Sequence, residues 1–70
     1  MGLICLKESV KTDCKKDKVI MRFMEDRCNR SYCSIIRFMD ENDERLIGKN
    51  ILRVIGQRLN LTEEQILIEI

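Results

Sequence analysis

Seventy residues, with 13 basic and 12 acidic side chains and a net charge of +1, make at most one domain and exert no global attraction on nucleic acid. Hydrophobic residues at 44%, charged residues at 36% and a complete lack of proline fit a folded chain and argue against disorder. A chain this short buries only about 60% of its unfolded surface, so small domains of this size usually lean on disulfides, a metal or a second copy.

Residues 2–6 are apolar but short, and no basic stretch precedes them, so they do not read as a secretory signal. No stretch approaches the roughly 20 apolar residues of a membrane span. The expected location is therefore the cytoplasm. Residues 7–18 are polar, with Lys7, Lys11, Lys15, Lys16 and Lys18 against Glu8, Asp13 and Asp17. Such a run is ordinarily a solvated face; its functional reading is contact with an acidic surface or anionic lipid.

Next come two short apolar runs. Residues 19–24 fit both periodicities: Val19, Met21 and Phe23 share one face of a strand, whereas Val19, Ile20, Phe23 and Met24 make a helical stripe. Their β-branched and aromatic content favours a strand. Residues 35–39 repeat the pattern Ile-x-Arg-Phe-Met, and both runs end in acids, as two paired strands would. A polar connection, residues 29–34, separates them.

Residues 44–59 form the clearest element. Ile47, Ile51, Val54, Ile55 and Leu59 recur at three- and four-residue steps, with Leu52 beside them, and Lys49, Asn50, Arg53 and Gln57 lie opposite. This spacing predicts one amphipathic helix of about 16 residues, capped by Asn42 or Asp43. Gly48 and Gly56 weaken it and allow a neighbour to approach closely. After residues 60–64, residues 65–70 alternate, with Ile66, Ile68 and Ile70 on one face of a strand. Its partner must come from earlier in the chain or from another molecule, and an unpaired edge points to a homodimer. The expected fold is α+β, with two to three strands packed on one helix, in a single domain over residues 1–70.

Cys5, Cys14, Cys28 and Cys33 are spaced C-x8-C-x13-C-x4-C. In a secreted chain, four cysteines would mean disulfides. A four-thiolate zinc site wants two close pairs, and only Cys28 and Cys33 are close. Reduced thiols serving as small apolar residues are the remaining reading, and the expectation is no metal and no cofactor. Histidine is absent, so no ordinary base is present to activate a thiol. Phosphate loops, Ser/His/Asp sets and calcium-loop patterns are also missing, and three aromatics supply little for stacking on bases. The chain reads as a non-enzyme that binds another protein.

Residues 49–55, then Leu59, residues 61–65 and residues 66–68 resemble the helix and following strand of the cell-division topological specificity factor MinE. Residues 17–27, an acid-basic-apolar start ending in acid-Arg, look like that family's partner-contact segment, and residues 1–7 are similar to its short membrane-touching start. The resemblance covers about half of the chain. It implies a homodimeric regulator that binds the membrane ATPase MinD and stimulates its ATP hydrolysis. Its contact residues would be Lys18, Val19, Met21, Phe23 and Arg27, in a segment that is strand when stored and helix when bound. Leu3, Ile4, Leu6 and Lys7 would touch the inner membrane face, with residues 1–18 a flexible or membrane-touching segment. The alternatives are an unclassified adaptor or inhibitor, or a disulfide-stapled secreted peptide.

Overall fold

A computed structural model describes residues 2–70; Met1, the first residue of the expected membrane-touching start, lies outside the described residues. The fold is α+β. In chain order it runs β1 (Ile4–Leu6), α1 (Glu8–Lys16), α2 (Lys18–Cys28), α3 (Tyr32–Asp40), a 3-10 turn (Glu44–Ile47), α4 (Lys49–Leu59), α5 (Glu63–Ile66) and β2 (Leu67–Glu69). The strands pair antiparallel, Ile4 opposite Glu69, Cys5 opposite Ile68 and Leu6 opposite Leu67. The strand at the end of the sequence thus finds its partner at the beginning.

The polar run is not a loose segment. Val10, Lys11 and Cys14 are buried, and Val10 and Cys14 lie one turn apart on the inner face of α1. Five lysines hid this stripe in the sequence. A single residue, Asp17, then separates α1 from α2. Its carboxylate accepts from the N–H groups of Val19 (2.9 Å) and Ile20 (3.1 Å), so the chain turns and restarts as a helix at once. From α4, the Arg58 Nε donates to the same carboxylate at 3.1 Å. Burial pushes the Asp17 carboxyl up, but the Ile20 N–H, the Arg58 hydrogen bond and charge, and the Val19 N–H together hold it below the usual aspartate value.

Residues 19–24 are helical, contrary to the strand reading. The cap at Asp17 supplies a start, Ile20, Met21 and Met24 supply a buried stripe at helical spacing, and Asn29 stops the helix in the left-handed region at φ 53°. Residues 35–39 are helical for the same reasons. The Ser31 side chain caps α3, and Ile35, Phe38 and Met39 are its buried face. The likeness between the two runs is therefore between two packed helices. α2 contacts α1, α3 and α4 and lies at the centre of the molecule.

The long amphipathic helix is broken. Asp43 caps the 3-10 turn through the Arg45 N–H at 2.9 Å, Gly48 is extended, and α4 begins at Lys49. The weak helical preference of Gly48 locates the break, although a side chain there would meet nothing within 4 Å. Gly56 does permit a close approach, since a Cβ would lie 2.9 Å from the Leu61 carbonyl oxygen. The buried face of α4 is Ile51, Leu52 and Ile55, with Val54 and Ile47 half-buried. The last strand is shorter than expected. Gln65 and Ile66 belong to α5, where the Gln65 side chain accepts from the Thr62 N–H at 2.9 Å, and Ile66 is a core residue.

Lys11 is the buried cation of the fold, its side chain only 7% exposed. Its Nζ donates to Glu8 Oε1 at 3.0 Å and to Asn42 Oδ1 at 2.6 Å. The second bond spans 31 positions and ties α1 to the turn after α3. Replacing the cation by an apolar chain of similar length removes a desolvated charge, whereas removing Asn42 leaves that charge with the solvent-exposed Glu8 as its one side-chain partner. Lys11→Met should therefore change stability by about 1 kcal/mol or less, and Asn42→Gly, which keeps the left-handed backbone at φ 55°, should cost about 1–3 kcal/mol. Urea melts of the two variants check this; a Lys11→Met loss equal to or above that of Asn42→Gly would contradict it.

Candidate functional surface: the terminal sheet

Large apolar side chains left on the surface are the plainest marker of function here. Six stand exposed among the described residues: Leu3, Ile4, Val19, Tyr32, Ile68 and Ile70. Four of them belong to the terminal sheet and its extension. Beyond the paired strands, Leu3 and Ile70 exchange backbone hydrogen bonds of 2.8 and 2.9 Å, and the Lys7 N–H donates to the Ile66 carbonyl at 2.9 Å. Hydrogen-bonded pairs alternate along an antiparallel ladder. Residues 66, 68 and 70 therefore face β1, and the backbone of Leu67 and Glu69 faces the other way. The Leu67 N–H is satisfied by the Glu63 carbonyl within α5. The N–H and carbonyl of Glu69 remain on an open edge. β1 differs: its flank lies against the 3-10 turn.

Beside that open edge is a shallow concavity of about 470 Å³, lined by Ile4, Leu67, Ile68, Glu63, Glu64 and Glu69. Its floor is apolar and its rim acidic. The ion pairs formed among the described residues join Lys11 to Glu8, Lys15 to Asp40, Arg45 to Asp43 and Arg58 to Asp17, and none uses the three rim carboxylates.

A second concavity, of about 380 Å³, is basic. Arg27, Arg45 and Lys49 line it together with Cys28, where α4 begins without a side-chain cap. Arg45 is already engaged, lying 4.9 Å from the centre of the Phe38 ring and 3.8 Å from Asp43. No buried side-chain polar atom among the described residues lacks a partner, so none points into either concavity as an unfilled ligand position.

The residues expected to contact a partner are divided by this fold. Lys18, Val19 and Arg27 are exposed on α2, Phe23 is half-buried against the core, and Met21 is buried. Met21 belongs to the packing that holds α2 in place, because it falls on the inner stripe with Ile20 and Met24. The expected membrane-touching residues are divided too. Leu3 and Ile4 are exposed, Lys7 is half-buried, and Leu6 is a core residue beneath β1. Residues 4–6 are strand and residues 8–16 helix, so most of the segment expected to be flexible has regular structure. Glu63, Glu64 and Glu69 received no role in the sequence reading, since acids before a strand look like caps and solvated positions. No helix among the described residues is long and apolar enough to cross a membrane.

The four thiols are free and lie in four environments: Cys5 and Cys14 are buried, Cys28 half-buried and Cys33 exposed. No three His, Cys, Asp or Glu residues among those described gather as a metal site would require. Burial, with the nearby charges of Asp13 and Asp17, pushes the Cys14 thiol up to about 12. Burial also raises Cys28, against the opposing pull of Arg45, Arg30 and Arg27. Neither is a ready nucleophile at neutral pH.

Cys14 carries a pH signature. The unfolded thiol loses its proton near 9.0 and the folded one near 12, so between those values the folded state holds more protons and stability falls as pH rises. Below 9.0 the thiol contributes no slope. Urea midpoints followed from neutral pH into that window should drop more steeply for the parent chain than for Cys14→Ala, whose baseline stability is lower. Parallel curves would contradict the buried thiol.

No family model matches the chain, and neither a curated protein nor a solved structure matches it.

Proposed function

We propose that this chain is a small non-catalytic regulatory module that works by binding another protein, and that its principal contact is the terminal sheet. The observation that supports the reading most is the exposure of Leu3, Ile4, Ile68 and Ile70 on one two-stranded sheet, with Leu3, Ile68 and Ile70 on one face, Ile4 on the other, and the edge of β2 open. Exposed apolar patches on small domains commonly mark interaction sites. An open edge adds main-chain donors and acceptors, which an extended segment of a partner satisfies.

The MinE-like reading is the second proposal, and Lys18, Val19 and Arg27 favour it. Val19, 52% exposed, is an apolar side chain in the first turn of α2 next to Lys18, with Arg27 in the last turn of the same helix. On that reading the partner is a MinD-type ATPase, the chain forms a homodimer, and its apolar start rests on the inner membrane face. A contact through Met21 would require α2 to leave the core, so the version compatible with an intact fold uses only the outer residues of α2.

The two readings separate in one titration series. Photo-crosslinkers placed at Ile68 and, as a control, at Arg37 identify the partner, with adducts expected from Ile68 alone. Against that partner, Ile68→Ser should weaken binding about ten-fold or more, and Lys18→Glu should change it little. Circular dichroism should show both variants folded, because both positions are exposed. Loss of binding with Lys18→Glu but not Ile68→Ser, together with stimulated ATP hydrolysis by a purified MinD-type ATPase, would move the contact to α2.

A further inference from the structure

From the charge around the terminal sheet we infer what kind of segment docks there: an extended peptide stretch that places a lysine or arginine opposite Glu69 and apolar side chains opposite Ile68 and Leu67. This inference rests on the terminal sheet being the binding face. The apolar lining, Ile4, Leu67 and Ile68, is edged by Glu63, Glu64 and Glu69 and, among the described residues, by no cationic side chain. Three like charges around one concavity repel one another, and no described side chain forms an ion pair with any of them. A basic segment relieves that repulsion while burying the floor. An acidic segment compounds it, and so does an anionic lipid surface, whose potential repels carboxylates. The same rim disfavours symmetric pairing of two β2 edges, which would bring six of these carboxylates to one seam.

The edge sets the order of the incoming residues. In a sheet, directly opposite residues share a face, and successive residues alternate. Ile4 and Glu69 are opposite each other in the register, as are Leu6 and Leu67. Leu67 and Glu69 therefore lie on one face, with Ile68 on the other. A strand laid against β2 puts its basic side chain beside Glu69 and a β-branched side chain beside Ile68. Next comes an apolar residue beside Leu67, and any further lysine reaches Glu63 or Glu64 on α5. Its backbone meets the free N–H and carbonyl of Glu69.

The test uses the full chain and a blocked octapeptide, Lys-Val-Lys-Ile-Val-Lys-Val-Lys, against a control with every lysine replaced by glutamate. In titrations of isotope-labelled protein, the basic peptide should shift the amides of Ile4 and residues 63–69, saturably, and the acidic one should not. Glu63→Lys with Glu69→Lys should weaken the basic peptide about ten-fold and admit the acidic one. Vesicles of phosphatidylserine and phosphatidylcholine should not bind. Equal binding of both peptides, or an affinity unchanged by the charge reversals but lost with Ile68→Ser, would overturn the basic-segment inference while leaving the terminal sheet as the binding face. Peptide shifts confined to α2, vesicle binding through Leu3 and Ile4, or a dimer whose amide shifts on dilution map to residues 67–70 would overturn both.

Discussion

Everything in this fold depends on burying one stripe of α2. Ile20, Met21 and Met24 face inward, and three helices close around them: α1 through Val10 and Cys14, α3 through Ile35 and Phe38, and α4 through Ile51 and Ile55. A domain of 70 residues has little apolar surface to spare, so a core organised around one central helix leaves no redundancy. Truncating a side chain such as Met24 costs about 2–5 kcal/mol, comparable to the whole stability of many domains this small. The polar contacts serve the same arrangement. Asp17 starts α2 and fastens it to Arg58 of α4, and Lys11 fastens α1 to Asn42.

This architecture bears on how the protein can work. A helix held on three sides is a poor candidate for a segment that changes structure when a partner arrives, because freeing it dissolves the core. The terminal sheet is different. Its two strands are three residues each, its outer edge is open, and Ile4 and Ile68 already face solvent. Binding there requires no rearrangement of the helices. The proposed division of labour is a rigid helical body that holds a short strand edge in place, with carboxylates on α5 selecting what pairs with it.

Several of these features were legible in the residues. The α+β class, the apolar face of α4 and a strand near the C-terminal end follow from periodicity, and each was read with limits that were off by a few residues. Four helices, α1, α2, α3 and α5, were not legible as such. Residues 19–24 satisfy two periodicities, and what decides between them is the cap at Asp17 together with Asn29, which stops the helix in the left-handed region. Asn60 does the same for α4 at φ 56°, and Asn42 turns the chain after α3. Read as stop signals, those three asparagines divide the sequence into its helical pieces. α1 was hidden because its inner face contains Lys11, a charge that burial tolerates through Glu8 one turn away and the distant Asn42. The candidate surface was half legible. The isoleucines of the last strand drew attention, but the acidic rim appears only when α5 folds Glu63 and Glu64 back beside Glu69.

Native-state hydrogen exchange of the α2 amides tests the central claim most directly. If α2 is the keystone, the amides of Met24 and Glu25 should exchange only through global unfolding, with an opening free energy equal to that from a denaturant melt, while the amide of Glu69 on the open edge exchanges far faster. An α2 that opens well below the global free energy would contradict the account, because it would make this helix a detachable segment rather than the centre of the core.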